Sequence, residues 1–415
     1  MKNYLSPDNI RHTLSNLSLL TFEVTDACNL KCKYCGYGEF YNDYDERTNK
    51  MMSPENAYKV LDYLLPFWES NLNESSDRNV YIGFYGGEPL LNMEFVRKVV
   101  DYVEKMPVTN RHFSFAMTTN AMLLDRYMDY LAEKQFSLLI SLDGDKFNDS
   151  YRVDKAGNSS FDQVVENVNR LRDNFPEYFR DHVNFNAVLH NRNSVEQIYH
   201  FFQQEYDKKP SIGELNNMGI RPEKIAEFKN AYRNQMESIR QTENYEEIDK
   251  ERFISSPTYQ SVCTFLHQYC DFVYRDYNEL LYGKTSKQDD WITGTCMPFG
   301  KKMFVTVNGK ILPCERIGQH FAIGRVDEKG VDLDFEAISE RYNSYFSKLE
   351  TQCSSCFNRY SCIQCIFNLK NLEGSPICLG RMSKEDFENY KANKMAFIAS
   401  HPEEYYRLME EVFVE

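Results

Sequence analysis

The sequence contains no apolar run approaching the ~18 residues that a membrane-spanning helix requires, and its start, MKNYLSPDNI, lacks the long apolar stretch of a secretory signal. These absences exclude a helical membrane span and an export signal from the reading, and the chain is expected in the reducing cytoplasm. Positive charge is scarce too: 48 Lys and Arg against 62 Asp and Glu leave a formal charge of −14. That balance argues against nucleic acid or an anionic membrane as partner. No stretch suggests a repeat array or a low-complexity linker. What is present is a 415-residue chain, 42% hydrophobic and 14% aromatic, enough to bury a large core.

The other conspicuous presence is cysteine, 12 in all. They fall at Cys28, Cys32 and Cys35, at Cys263 and Cys270, and at Cys296, Cys314, Cys353, Cys356, Cys362, Cys365 and Cys378. In a reducing compartment disulfides are not the default. Thiols grouped at short spacings point instead to zinc or iron–sulfur clusters, whereas buried structural cysteines need no spacing rule.

Residues 19–220 alternate strand-like and amphipathic helical segments, the pattern of a parallel sheet covered by crossover helices. Strands are expected at 19–24, 80–85, 112–118, 137–143, 182–189 and 211–216. A helix opens at Ser53-Pro54, with Ser as N-cap and Pro at the first helical position. Another runs from Phe161 through Val164, Val165, Val168 and Leu171. Residues 221–290 read as a polar helical bridge. Residues 291–382 form a cysteine-rich module in which Asn308-Gly309 separates two alternating segments as a two-residue hairpin turn does. Residues 383–415 are a helical tail with a stop near Ser400-His401-Pro402.

Cys28, Cys32 and Cys35 form C-x3-C-x2-C directly after the first expected strand. By chance such a spacing should arise about 0.01 times in a chain of this cysteine content. Three thiolates can hold three irons of a cubane and leave the fourth open, whereas four thiolates suit pure electron transfer. The alternative is a three-cysteine zinc site with a remote fourth ligand.

This triplet, with Tyr34 just before its last cysteine, resembles the signature of the radical S-adenosylmethionine superfamily. The resemblance extends to Gly86-Gly87-Glu88-Pro89 after the second strand, Thr118-Thr119-Asn120 after the third, and Ser141-Leu142-Asp143-Gly144 with Arg152 after the fourth. It implies an α/β fold, a partial (βα)6 TIM-like barrel over residues 1–220. It also implies S-adenosylmethionine and a 4Fe-4S cluster as cofactors, the cluster held by Cys28, Cys32 and Cys35. Gly86, Gly87 and Glu88 would meet the methionine amino group, Ser141 and Arg152 its carboxylate, Asn120 the ribose, and Tyr34 the adenine. Only the arginine role follows from bare chemistry, since guanidinium matches carboxylate bidentately. The cysteine loop and the Gly86, Asn120, Ser141 and Asn216 segments all follow expected strands, where α/β barrels place their sites. Taken singly, the Gly and Asn segments also read as ordinary strand-to-helix turns.

Further on, Cys296 and Cys314 flank the expected hairpin, and C-x2-C-x5-C-x2-C at Cys353, Cys356, Cys362 and Cys365 is followed by Cys378. Seven thiols are too many for one zinc and suit two clusters, with a pair of structural zincs as the alternative. The set resembles the SPASM extension, a seven-cysteine module holding two auxiliary 4Fe-4S clusters, and departs from it by one residue between the fifth and sixth cysteines. Carried over, one cluster would use Cys296, Cys314 and Cys365, and the other Cys353, Cys356, Cys362 and Cys378. The first set lacks a fourth thiolate; its fourth iron would be open, bind substrate, or recruit Cys263 or Cys270. Those two sit among Phe265, Phe272 and Val273 on an expected helix and read better as buried core cysteines.

The resemblance implies that an electron delivered to the first cluster cleaves S-adenosylmethionine to methionine and a 5′-deoxyadenosyl radical. That radical takes a hydrogen from substrate, and the auxiliary clusters accept the second electron. The expected activity is that of a peptide maturase forming a thioether or carbon–carbon crosslink in a ribosomally made precursor peptide. The expected partner is a flavodoxin- or ferredoxin-like electron donor; since no leader-binding domain fits before Cys28, leader recognition is expected to use the helical bridge, a separate leader-binding protein or the barrel mouth. GYGEFYNDYDER, after the triplet, reads equally as a grip on that peptide or as a solvated loop with a few packed rings. The alternatives are an anaerobic sulfatase-maturating enzyme, which oxidises Cys or Ser to formylglycine, and a non-catalytic iron–sulfur or zinc scaffold.

Overall fold

The computed structural model describes residues 4–74, 79–109, 111–269, 293–359 and 362–411. Cys270 and the end of the expected helical bridge lie outside them. The chain divides into two compact units. The larger comprises Arg11–Ile248 and Pro298–Leu333; the smaller comprises Met1–Ile10, Asp249–Met297 and Asp334–Glu415.

All six expected strands are present in the larger unit: β1 (Leu19–Thr25), β2 (Asn79–Gly86), β3 (His112–Thr119), β4 (Ser137–Ser141), β5 (Val183–Leu189) and β6 (Ser211–Glu214). They pair in parallel in that order, with Phe22 opposite Phe84 and Ile140 opposite Phe185. β1 is buried from Leu20 to Thr25 on both faces, with Thr21, Glu23 and Thr25 alternating with Leu20, Phe22 and Val24. The helices Pro54–Trp68 and Met93–Val103 lie between strands, and Ser53 caps the first by accepting the Glu55 N–H. Phe95 on the second packs edge-on against Phe22, ring centroids 6.1 Å apart. Each such fully buried side chain contributes ~1.5–3 kcal/mol. The fold is therefore α/β with a parallel sheet.

Beyond β1 the sheet continues through β7 (Met303–Val305), β8 (Lys310–Leu312), β9 (Gly324–Asp327) and β10 (Gly330–Asp332). β7 runs parallel to β1 and the rest are antiparallel. The expected hairpin is thus real, but its turn is not the two-residue one. The Gly309 N–H donates to Thr306 O at 2.8 Å and Gly309 alone has positive φ (+79°), so residues 306–309 make a longer turn ending in a left-handed glycine.

In the smaller unit the helix Phe335–Ser354 buries Ile338, Tyr342, Tyr345, Phe346 and Leu349 along one stripe. Cys263 lies in a separate apolar cluster with Phe253, Tyr259, Val262, Leu266 and Leu408. The tail forms the helices Lys384–Ser400 and Pro402–Glu411, parted at His401-Pro402. Among the described residues no helix is long and apolar enough to cross a membrane.

Candidate functional site

Parallel strands in consecutive order bring their carboxyl ends to one edge of the sheet, so Thr25, Gly86, Thr119, Ser141, Leu189 and Glu214 converge there. The chain leaving β1 makes the cysteine loop, closed by the Cys35 N–H donating to Cys32 O at 3.2 Å. Gly86 and Gly87 lie against this loop's own entry. A Cβ on Gly86 would stand 2.4 Å from Thr25 O, and one on Gly87 only 2.0 Å from Ala27 O. The Gly87 and Glu88 N–H groups donate to those same two carbonyls, at 2.8 and 2.9 Å. The close approach that glycine permits here is between two segments of the chain itself.

Donors are aimed at the thiols of the trio. The Leu30 N–H and Asn120 Nδ2 reach Cys28 Sγ at 3.4 and 3.7 Å, and Arg47 Nη2 reaches Cys35 Sγ at 3.6 Å. Burial, first among the causes, pushes the Cys28 thiol up to about 11 and the Cys32 thiol to about 12. Without a metal these thiols stay protonated; iron would displace the protons, and the N–H donors would then face sulfur anions. Among the described residues no group of three or more His, Cys, Asp or Glu side chains is gathered closely enough to hold a single metal ion. The donor-lined trio fits three thiolate ligands of an iron–sulfur cluster.

Glu88 is fully buried and braces the loop to β3. Its Oε1 accepts from Thr119 Oγ1 (2.7 Å) and the Leu90 N–H (3.1 Å), and its Oε2 from the Asn120 N–H (2.8 Å). Burial pushes its pKa up to about 7 despite those three donors. With about four acceptor positions on a carboxylate, one on Oε2 remains. Asn120 also donates to Asn29 Oδ1 at 2.7 Å, and Ser141 ends β4 half-buried.

Tyr34 and Arg152 share one partner. The Tyr34 hydroxyl donates to Asp143, and Arg152 Nη2 lies 3.2 Å from Asp143 Oδ1, with its guanidinium 5.4 Å from the Tyr34 ring centre. Asp143 also accepts the Val188 N–H (2.9 Å) and faces His190 Nε2 at 3.5 Å, while His190 stacks on Tyr34. Burial alone would raise the Asp143 pKa, but Arg152 and then His190 hold it below the usual carboxylate value. Burial and the charge of Asp143 instead push its neighbour Asp149 well up. Two buried carboxyls shifted in opposite directions therefore flank a fixed cation.

Sequence reasoning missed Asp143, Asp149 and His190 as a unit. Charged residues at the end of an apolar strand were the available signal. It also missed Tyr37, whose hydroxyl donates to the buried Glu23 and whose ring lies 4.2 Å from the Arg47 guanidinium. In the tyrosine-rich segment, Phe40 and Tyr41 are buried in a cluster with Leu215 and Phe228.

The second cysteine set is divided. Cys314 lies in the larger unit, where its Sγ accepts the Arg316 N–H at 3.3 Å, and burial then Glu315 push it to about 12. The others lie in the smaller unit. Cys353 is pushed to about 11 by burial and then by Cys362, Cys378 and Cys356, so these four are mutual neighbours. Their sulfurs also meet donors, Gln364 N–H on Cys362 and Met382 N–H on Cys356, both at 3.4 Å. Burial followed by neighbouring Cys296 raises the Cys365 pKa.

Residues 22–204 match the family model described as the Radical SAM superfamily. A cysteine-type anaerobic sulfatase-maturating enzyme of Clostridium novyi is 29% identical over 196 residues, 46% of this chain and 49% of that protein. The radical SAM cyclopropyl synthase TigE of Paramaledivibacter caminithermalis is 24% identical over 183 residues, 43% of this chain and 36% of that protein. The chain thus spans about half or less of the length of these curated relatives. A solved structure described as native anSMEcpe with bound AdoMet has the same fold, with a TM-score of 0.55 at 19% identity over 94% of this chain and 99% of that one.

Proposed function

We propose, from the premise that residues 22–204 are a radical SAM domain, that this radical SAM enzyme is an oxidative maturase of a ribosomally made peptide. The observation behind the reading is the convergence of a donor-lined cysteine trio with the ends of β1–β6, in a chain that carries seven further thiols after residue 295. When bound, a 4Fe-4S cluster with S-adenosylmethionine supplies hydrogen-abstracting radical chemistry.

In this proposal Cys28, Cys32 and Cys35 hold that cluster. Gly86 and Gly87 present backbone to the methionine end, Glu88 its remaining acceptor position to the ammonium, and Asn120 and Ser141 their polar side chains. Arg152 and Tyr34, both turned onto Asp143, shape the floor and add a fixed cation on the carboxylate side. Net loss of two hydrogens requires the substrate to give up one hydrogen atom, one electron and one proton. The first goes to the nucleoside and the proton to a base. Auxiliary clusters, which the resemblance assigns to Cys296, Cys314 and Cys365 and to Cys353, Cys356, Cys362 and Cys378, would supply an acceptor for the electron. A charge of −14 suits an electron-donor protein with a complementary patch.

The test is anaerobic: reduced, reconstituted protein should release 5′-deoxyadenosine, and candidate precursor peptides co-expressed with it should lose two hydrogens by mass spectrometry. A protein that binds iron yet makes no nucleoside would be a scaffold. A second reading, formylglycine formation in a sulfatase, is favoured by the similarity to the Clostridium novyi enzyme. Conversion of Cys or Ser in a sulfatase-derived peptide, with no crosslink in any precursor, would select it.

A further inference from the structure

Tyr342, on the helix Phe335–Ser354, is completely buried, and its hydroxyl has no hydrogen-bond partner among the described residues. Buried phenols normally find one. The ring is held in place edge-on to Phe367, with centroids 5.5 Å apart at 80°, and to Phe346 at 6.2 Å. Phe367 stands two residues after Cys365, in the short turn Ile366–Asn368 that Cys365 opens. The Ile366 N–H donates at 2.8 Å to Thr295 Oγ1, the residue before Cys296. Three segments of the smaller unit therefore meet at one place: the Tyr342 turn, Cys365–Phe367 and Thr295–Cys296.

The thiols of Cys365 and Cys296 are, after burial, the foremost influences that raise the Tyr342 pKa. Cys365 is brought to its side by the Phe367 ring two residues on, and the phenol keeps its proton. The Thr295 hydroxyl is engaged with Ile366, with Thr293 at 2.7 Å and with Cys365, whereas the Tyr342 hydroxyl has no partner among the described residues.

We propose that the Tyr342 hydroxyl donates a hydrogen bond to a sulfur of the iron–sulfur group held by Cys296 and Cys365, and that it acts as a positioning residue that raises that group's reduction potential. The inference rests on the auxiliary-cluster reading above. Reduction adds negative charge to cluster sulfur, so a donor held in place there stabilises the reduced form more than the oxidised one. The phenol itself is completely buried against the Phe346 and Phe367 rings. Cys296 and Cys365 belong, with Cys314, to the set that the resemblance to the SPASM extension leaves without a fourth thiolate. Tyr342 adds polar contact there without adding a ligand.

The experiment uses the full chain, purified and reconstituted anaerobically, as wild type, Tyr342→Phe and Cys365→Ala. Redox titration is followed by electron paramagnetic resonance, and the component missing in Cys365→Ala marks the cluster in question. In Tyr342→Phe that component should reduce about tenfold less readily, ~59 mV more negative for one electron. Iron content and melting temperature should be unchanged, because phenylalanine keeps the ring packing. Of the exchangeable protons coupled to the reduced cluster, seen on transfer to deuterium oxide, one should vanish in the same variant, while those of the Thr295 hydroxyl and the Phe367 and Asn368 N–H groups on Cys365 remain. An unshifted potential, or a full set of couplings in the variant, overturns the role of Tyr342. Cys365→Ala protein with undiminished iron, or zinc in its place, overturns the auxiliary-cluster reading instead.

Discussion

The two cysteine-bearing regions are built on opposite principles. The first trio sits on a loop at the end of a ten-stranded sheet. Its entry is clamped by Gly86 and Gly87, and Glu88 and Asn120 tie it to β3. The cysteines of the smaller unit hang instead on a helix end and short turns. Exposed apolar residues flank them, with Ile363 and Leu379 both 82% exposed beside Cys362 and Cys378. A sheet can hold three thiols in position without help. Turns that bury so little need whatever the thiols bind to become rigid.

The sharpest way to break this contrast is Cys32→Ala, which should abolish 5′-deoxyadenosine formation while leaving the larger unit folded by circular dichroism. Residual nucleoside would remove the trio from the chemistry. Next in size, stripping iron with a chelator should lower amide-exchange protection around Cys353–Cys378 by roughly 3 kcal/mol or more, yet leave β1–β6 protected. Equal loss in both regions would end the distinction.

Arg152→Met tests the larger unit's rigidity from within. It leaves the Asp143 anion buried without its cation and should cost about 3–5 kcal/mol, read as a fall in melting temperature confined to that unit. The smallest effect concerns Glu88. Its folded pKa, about 7, lies above the ordinary 4.5, so the folded state binds the extra proton between those values. The stability it contributes is complete below pH ~4.5 and is lost as pH rises through ~7, at most about 3 kcal/mol. Glu88→Gln should therefore look worst relative to wild type near pH 5 and best near pH 8 in melting temperature. A pH-independent gap would show that Glu88 is ionised throughout.

The six parallel strands were legible because each is a short segment rich in apolar and β-branched residues between turn and helix signals, and their ends shifted by at most two residues. That the cysteine loop, Gly86, Asn120 and Ser141 fall at or just past strand ends was legible too. The length of the hairpin turn was not, because Asn308-Gly309 suits more than one turn and the Thr306–Gly309 bond decides. Nor was the continuation of the sheet through β7–β10, since the strand that pairs with Leu20–Phe22 lies some 280 residues away in the chain.

Periodicity, capping and thiol spacing act over a few residues, so strands, helix starts and ligand-like cysteines were already decided along the chain. Partnership was decided only on folding. Glu88 meets Thr119 and Asn120, Arg152 and Tyr34 both turn to Asp143, and Tyr342 is left facing Cys296 and Cys365. A buried polar group must take whatever donor or charge the packing brings within about 3 Å, and which group that is depends on every element between the two.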